Sequence, residues 1–175
     1  GANVAVPFKQ IAYECCAARG GLSEHAKVAG AVNTLLLDKA LLAKGVSPVE
    51  ALFGDNTDGQ GLVNHMQRLG WPLNGARVAI IGAGGAARGV VLPLIEAGIE
   101  TLTIANRTVS KAEILVDELS TASEKINQHT IQTYATADLS GDFDIIVNAT
   151  SIGLSGEALP LADTLNCQYA YDMMY

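Results

Sequence analysis

The stretch RVAIIGAGGAARG, residues 77–89, limits the fold more than any other part of this chain. Arg77 to Ile81 is a short apolar run without the alternation of a half-wet strand, so it reads as a strand covered on both faces. Gly82, Gly84 and Ala87 then match G-x-G-x-x-G/A and open a helical stretch. The first glycine allows the tight turn, the second lets a pyrophosphate approach the backbone, and the small third residue brings helix and sheet together. The free N–H groups at the helix start favour phosphate. A glycine turn chosen only for tight packing would use the same residues. Here, however, a strand precedes, a helix follows and another strand, TLTIA, comes next.

That second strand bears on the cofactor. NAD sites usually carry Asp or Glu at this end, to bond the ribose hydroxyls. This strand runs instead into Asn106, Arg107 and Thr108, with Lys111 one turn on. Arg107 can clamp a 2′-phosphate in a bidentate manner. The expected cofactor is therefore NADP(H).

Further segments set the architecture. The helix after the loop is expected to end near Gly98, and Ser110 to cap another that runs to about Leu119. HTIQTYA, FDIIVNAT and CQYAYDMMY read as third, fourth and fifth strands. Strands alternating with helices predict a Rossmann-like, doubly wound parallel sheet from residue 76 onward. Before it, residues 2–6 read as a strand. A helix follows Pro7 to Ala18, with Cys15 and Cys16 in or beside its packed face, and a strand runs through AGAVNTLLL. An irregular hairpin-like connection leads to DNTDG, and a helix spans 59–70 with apolar residues at 62, 63, 66 and 69. Residues 1–58 are expected to form an incomplete α/β substrate-binding domain. Residues 59–75 form a linker helix and turn, and 76–175 a nucleotide-binding domain.

Bulk properties exclude several classes. The 175 residues are 49% hydrophobic with a net charge of −7 and no basic run, which argues against nucleic acid binding. The longest apolar stretch is broken by Arg88 and glycines, so no membrane span is expected. Three cysteines without metal or disulfide spacing predict a cytoplasmic protein with no metal site. His25, His65 and His129 share no motif and read as surface residues. Cys167, Tyr169 and Tyr171 read as packing or structural.

Chemistry comes from the first half. Lys9 after VPF, Asn33 in GAVNT and Asp58 in DNTDG each fall at a strand end or helix start, where ligands gather in α/β sheets. A lysine and an aspartate in one cleft form an acid–base pair. Isolated, such residues are ordinary surface groups.

The combination of GANVAVPFK, AGAVNTL, GDNTDGQG, IIGAGGAARGV, NRTVSKA, FDIIVNATSIGLSG and YDMMY, in this order, resembles the shikimate/quinate dehydrogenase family over nearly the whole chain. The resemblance implies reversible NADPH-dependent reduction of 3-dehydroshikimate to shikimate, in aromatic amino acid biosynthesis. It puts catalysis on Lys9 and Asp58, and substrate contacts on Asn33 and Tyr175. It puts the cofactor on Gly82, Ala83, Gly84, Gly85, Ala86 and Ala87, on the clamp Asn106, Arg107, Thr108 and Lys111, and on Asn148, Thr150 and Ser151. Ala5 stands where the family commonly has a threonine that contacts substrate. The family's leading strand–helix segment and closing helices are missing. The chain thus reads as an internal piece whose open edges favour a homo-oligomer. A catalytically inert NADP-binding piece and a quinate-using paralogue are the alternatives.

Overall fold

The computed structural model describes residues 1–5, 7–18, 21–152 and 159–173. The apolar run around Ile80 forms β4 (Arg77–Ile81), in which Val78, Ala79, Ile80 and Ile81 are all buried. It pairs in parallel with β5 (Thr101–Asn106) on one side and β7 (Gly141–Asn148) on the other. β6 (Ile131–Ala135) and β8 (Leu165–Asp172) complete a five-stranded parallel sheet of order β6-β5-β4-β7-β8. The order reverses between β4 and β7, where the loops after the two strands open a crevice.

Alternate residues of β4 serve two cores. Val78 and Ile80 pack with Val90, Val91 and Leu94 from α5 (Gly85–Glu96), and with Leu115 and Leu119 from α6 (Val109–Ala122). Ala79 and Ile81 face Leu139 and Ile146 in a smaller cluster.

The preceding residues build a second sheet. β1 (Ala2–Asn3), β2 (Thr34–Leu37) and β3 (Leu52–Asp55) pair antiparallel in that order. Its core is small, with Cys16, Leu22, Ala26 and Val32. α1 (Lys9–Ala17) starts two residues after Pro7, which suits a helix entry. Phe8 just before α1, Ile11 on it, and Leu36 and Leu37 on β2 are exposed.

Several local expectations need correction. The first ladder covers only residues 2–3, extended by Val4 N–H donating to the Asn33 carbonyl; Val6 lies outside the described residues. The AGAVNTLLL segment is strand only from Thr34. EHAKVA forms an unforeseen helix, α2 (Glu24–Ala29). Ser23 caps it, its Oγ accepting from Ala26 N–H at 3.0 Å, and Gly30 ends it at φ 64°. The irregular connection holds a short helix, α3 (Lys39–Ala43), and β3. The cap of α6 is Thr108 rather than Ser110, and the helix runs on to Ala122. Cys16 is buried, but Cys15 is exposed, as is Cys167, which lies on an edge strand two residues inside β8. Packing therefore does not explain Cys167.

A polar seam ties α2 to the parallel-sheet layer. Glu24 accepts from Ser123 Oγ at 2.7 Å and from Lys125 Nζ at 3.1 Å; Lys125 also bonds Glu96, whose carboxylate lies 2.7 Å from His25 Nε2. Lys125 stands on α7 (Glu124–Asn127). The Ser123 hydrogen bond, then that of Lys125, holds the Glu24 carboxyl below its ordinary range. Arg88 adds an Nε–H bond to the Val28 carbonyl at 2.9 Å and an ion pair with Glu118.

His129 behaves differently. Its Nε2 is buried without a hydrogen-bond partner among the described residues, and burial pushes its imidazole below the ordinary value. The unfolded chain takes up that proton near pH 6.5, whereas the fold resists it. The unfolded state therefore binds more protons below that pH, and stability falls as pH drops. His129→Leu is expected to lose less melting temperature than the parent between pH 7 and pH 5.5. Equal losses would remove His129 from this account.

Candidate functional site

Lys9 and Asp58 lie 49 residues apart in sequence, yet Lys9 Nζ donates to Asp58 Oδ2 at 2.6 Å. Each stands at a helix start. Lys9 is the first residue of α1, and Asp58 the first of α4 (Asp58–Arg68). A carboxylate suits that position because the helix N-terminus carries partial positive charge. The Asp58 N–H donates to Asn56 Oδ1 at 3.1 Å, and Asn56 itself donates Nδ2–H to the Ala31 carbonyl.

Asn33 sits beneath this pair, buried, and both ends of its amide are bonded. Nδ2 donates to Asp58 Oδ1 at 2.8 Å. Oδ1 accepts from Thr57 N–H at 3.1 Å, Thr57 Oγ1 at 3.3 Å and Thr34 Oγ1 at 2.9 Å. Here Asn33 fixes the Asp58 carboxylate from behind. The pair itself is open, with the Lys9 and Asp58 side chains 29% and 49% exposed. Exposed ion pairs contribute about 0–1 kcal/mol. Stability alone is thus a poor reason for building this one so carefully.

The pair faces a cleft of about 1000 Å³. The first wall carries Lys9, the end of α2 at Ala29–Ala31, and Asn56. The second carries Asp58, Gly61, Leu62 and His65 of α4. Also lining the cleft are Gly85, Ala86, Arg88 and Gly89 of α5, which packs against α4, with Tyr171, Asp172 and Met173 at the outgoing end of β8.

The glycine loop enters this cleft in the form its motif demands. Gly82 has φ 113°, and a Cβ there would stand 3.0 Å from the Ala149 carbonyl oxygen. Gly84 caps α5 in extended conformation, and a Cβ on Gly84 or Gly85 would meet nothing within 4 Å. The loop surface is therefore open at the N-terminus of α5, the shape a dinucleotide phosphate needs. Ala83 packs partly buried against the core and Ala87 is fully buried.

The other residues flank this loop. Asn106 ends β5, and its Nδ2 donates to the Thr108 carbonyl at 2.8 Å, closing the turn that presents Arg107. Arg107 and Lys111 are exposed and have no ion-pair partner among the described residues. After β7, Asn148 Oδ1 accepts from Thr150 N–H at 3.0 Å and Thr150 Oγ1 at 2.8 Å, which shapes the turn beside Gly82. Ser151 is exposed just beyond, and Tyr175 lies outside the described residues.

Two cleft residues went unseen in the sequence. His65 and Tyr171 both line the wall, and His65 Nδ1 lies 2.8 Å from the Tyr171 hydroxyl. They are 106 positions apart, so no local pattern pairs them. The partial signal is that His65 falls seven residues after Asp58, on the same helical face.

Together these features define a class: a Rossmann-like α/β protein whose glycine loop shares one cleft with a lysine–aspartate pair. The chain belongs to the shikimate / quinate 5-dehydrogenase family, whose model matches residues 65–154. It is 95% identical over its whole length to a shikimate dehydrogenase (NADP(+)) of Psychrobacter cryohalolentis, and 47% identical to one of Acinetobacter baylyi. It spans 61% of the length of each. Solved structures agree in fold. An Ael1 enzyme from Pseudomonas putida matches 99% of this chain and 58% of its own, at TM-score 0.79 and 35% identity. A shikimate 5-dehydrogenase from Thermus thermophilus, in complex with NADP(H) and shikimate, matches 97% and 56% at TM-score 0.69 and 31% identity. A 5-ketofructose reductase of Gluconobacter matches 94% and 57% at TM-score 0.65 and 30% identity. Among the described residues, no helix is long and apolar enough to cross a membrane, and no cluster of His, Cys, Asp and Glu could hold a metal ion.

Proposed function

We propose that this chain carries the catalytic pair and the nucleotide site of an NADP-dependent shikimate dehydrogenase, which reversibly reduces 3-dehydroshikimate to shikimate. The observation that carries the reading is the Lys9–Asp58 pair, open to the cleft that the glycine loop enters. In this reading residues 1–58 serve the substrate, 59–75 connect, and 76–175 serve the nucleotide, in a cytoplasmic protein.

The residues divide the work. The reduced nicotinamide, when bound, supplies the hydride. Lys9 donates a proton to the alkoxide forming at the substrate C3 oxygen, or holds its charge. Asp58 orients the ammonium and shares the proton. Asn33 holds Asp58 at Oδ1, leaving Oδ2 to Lys9. The N–H groups at the start of α5 bind the pyrophosphate, and Arg107 and Lys111 take the 2′-phosphate. The NADP(+) enzyme of Psychrobacter cryohalolentis and the NADP(H) complex from Thermus thermophilus support this choice of nucleotide, and the absence of a carboxylate at the end of β5 agrees.

The direct experiment is NADP⁺ reduction at 340 nm with shikimate. It is run on this chain and on the chain extended by the flanking sequence of the 95%-identical relative. Absorbance that stays flat with both would overturn the reading. The nucleotide assignment has its own test. Charge-assisted hydrogen bonds contribute about 1.5–3 kcal/mol. Arg107→Ala is therefore expected to weaken NADP⁺ binding about 10- to 100-fold while sparing NAD⁺, as read by titration calorimetry. Equal loss for both nucleotides would take Arg107 off the 2′-phosphate.

A further inference from the structure

His65 and Tyr171 form a side-chain contact between two elements that line the cleft, α4 and β8. α4 presents Asp58, Gly61, Leu62 and His65 to the cleft, at the spacing of one helical face. His65 stands two turns below Asp58, about 10 Å along the axis. Tyr171 stands on β8 in register with Val147, and the next pair is Asp172 with Asn148. Met173 N–H donates to the Asn148 carbonyl at 3.0 Å, and the Asn148 side chain shapes the turn beside Gly82. A tie between His65 and Tyr171 therefore links the helix of Asp58 to the strand end next to the glycine loop.

The contact is directional as well as close. The rings meet edge to face, centroids 5.6 Å apart at 86°. With the proton on Nε2, Nδ1 accepts the phenol O–H; with the proton on Nδ1, the ring donates to the phenol oxygen. On its other side Tyr171 meets Trp71 edge-on at 6.1 Å, and Trp71 stacks on Tyr169 at 4.7 Å. Trp71 follows the end of α4, so the helix is pinned to β8 by stacking just past its exit and by a hydrogen bond from its last turn. His65 is exposed, so burial of apolar surface does not account for its place in this arrangement.

We infer that His65 is a positioning residue: through the Tyr171 hydroxyl it ties the outgoing end of β8 to the helix that carries Asp58, keeping the walls of the cleft in register. The catalytic consequence rests on the dehydrogenase reading above; the tie itself does not.

The test compares His65→Ala, His65→Asn, Tyr171→Phe and the double variant His65→Ala/Tyr171→Phe, in the extended chain. Amide hydrogen exchange over residues 169–173 and the emission of Trp71, the single tryptophan, report on the tie. His65→Ala and Tyr171→Phe should each raise exchange at the strand end, and the double variant should raise it no further, because both singles remove one bond. His65→Asn, whose amide reaches the place of Nδ1, should stay close to the parent. Exchange unchanged in both singles, or additive in the double variant, overturns the tie. In the shikimate assay, His65→Ala should lower kcat about two- to tenfold, the scale of one hydrogen bond, with little change in KM. His65→Asn should recover most of that loss. A loosened strand end with kcat unchanged overturns the positioning role and leaves the dehydrogenase reading standing. A parent protein that never oxidises shikimate overturns that reading and the kinetic consequence with it, while exchange still decides the tie.

Discussion

Lys9→Ala is expected to abolish most shikimate-dependent NADP⁺ reduction while leaving the fold intact. General acid help of this kind contributes about 10²–10⁴-fold, and kcat should fall by that order. Stability should hardly move. The lysine is partly exposed and its pair is open to water, so the ion pair contributes about 0–1 kcal/mol. Asp58→Asn separates the partners' roles. It keeps the shape but has one acceptor oxygen where the carboxylate has two, so it can accept from Lys9 or from Asn33 but not from both, and it carries no charge. If Asp58 only steadies Lys9, the asparagine should cost about two- to tenfold in kcat, the scale of one lost hydrogen bond; if it shares the proton, kcat falls as far as in Lys9→Ala. Progress curves at 340 nm give kcat. A melting curve with NADP⁺ present checks that the nucleotide site survives. Lys9→Ala with kcat within threefold of the parent would sink the acid–base role, whatever happened to stability.

The sequence carried different parts of this molecule unequally. The parallel sheet was legible because each of its central strands is an apolar run covered on both faces, such as VAII and IIV. The glycine loop was legible because its residue types answer to local backbone needs. α2 was not, because six residues are too few for a periodic signal. Its local marks are only the Ser23 cap and the Gly30 stop, and Ser123 and Lys125, distant in sequence, bond its Glu24. β3 was hidden by its composition. Gly54 and Asp55 read as a turn, yet Gly54 is small because a Cβ there would stand 2.6 Å from Val32 Cγ2 and 2.9 Å from Cys16 Sγ. In the site, residue types and resemblance picked out Lys9 and Asp58, but their meeting at 2.6 Å depends on two helix starts brought together by tertiary packing. The structure also gives Asn33 a place behind Asp58 that no spacing could show, and pairs His65 with Tyr171 across more than half the chain.

Gly59→Ala is expected to be the most damaging small substitution near the site. Gly59 lies where α4 crosses α5, and an added Cβ would fall 2.2 Å from the Gly89 carbonyl oxygen and 2.7 Å from Pro93 Cγ. The reason for so close an approach is visible in the sequence of α5. Pro93 has no N–H, so the carbonyl of Gly89, four residues earlier, loses its helical donor. Gly59 and Gly89 bring the two backbones together at that carbonyl, and the proline ring closes one side of the contact. A backbone oxygen cannot turn away as a flexible side chain can, so the helices must separate by about 1 Å to reach ordinary contact. Overpacking of this kind costs about 1–3 kcal/mol or more. In a chain of this size each kcal/mol lowers the melting temperature by about 2–4 °C, so a fall of roughly 2–12 °C is expected. Gly61→Ala is the matched control: on the same helix, its Cβ meets nothing within 4 Å. There alanine should be neutral or should stabilise by up to about 1 kcal/mol, as a better helix former. Activity should follow packing. Gly59 adjoins Asp58, so the same separation carries the carboxylate away from the glycine loop on α5, and kcat should fall in Gly59→Ala even below its melting range. A Gly59→Ala protein that melts with the parent would mean that α4 and α5 do not cross at these glycines, and that the distance between acid–base pair and nucleotide loop is set by some other contact.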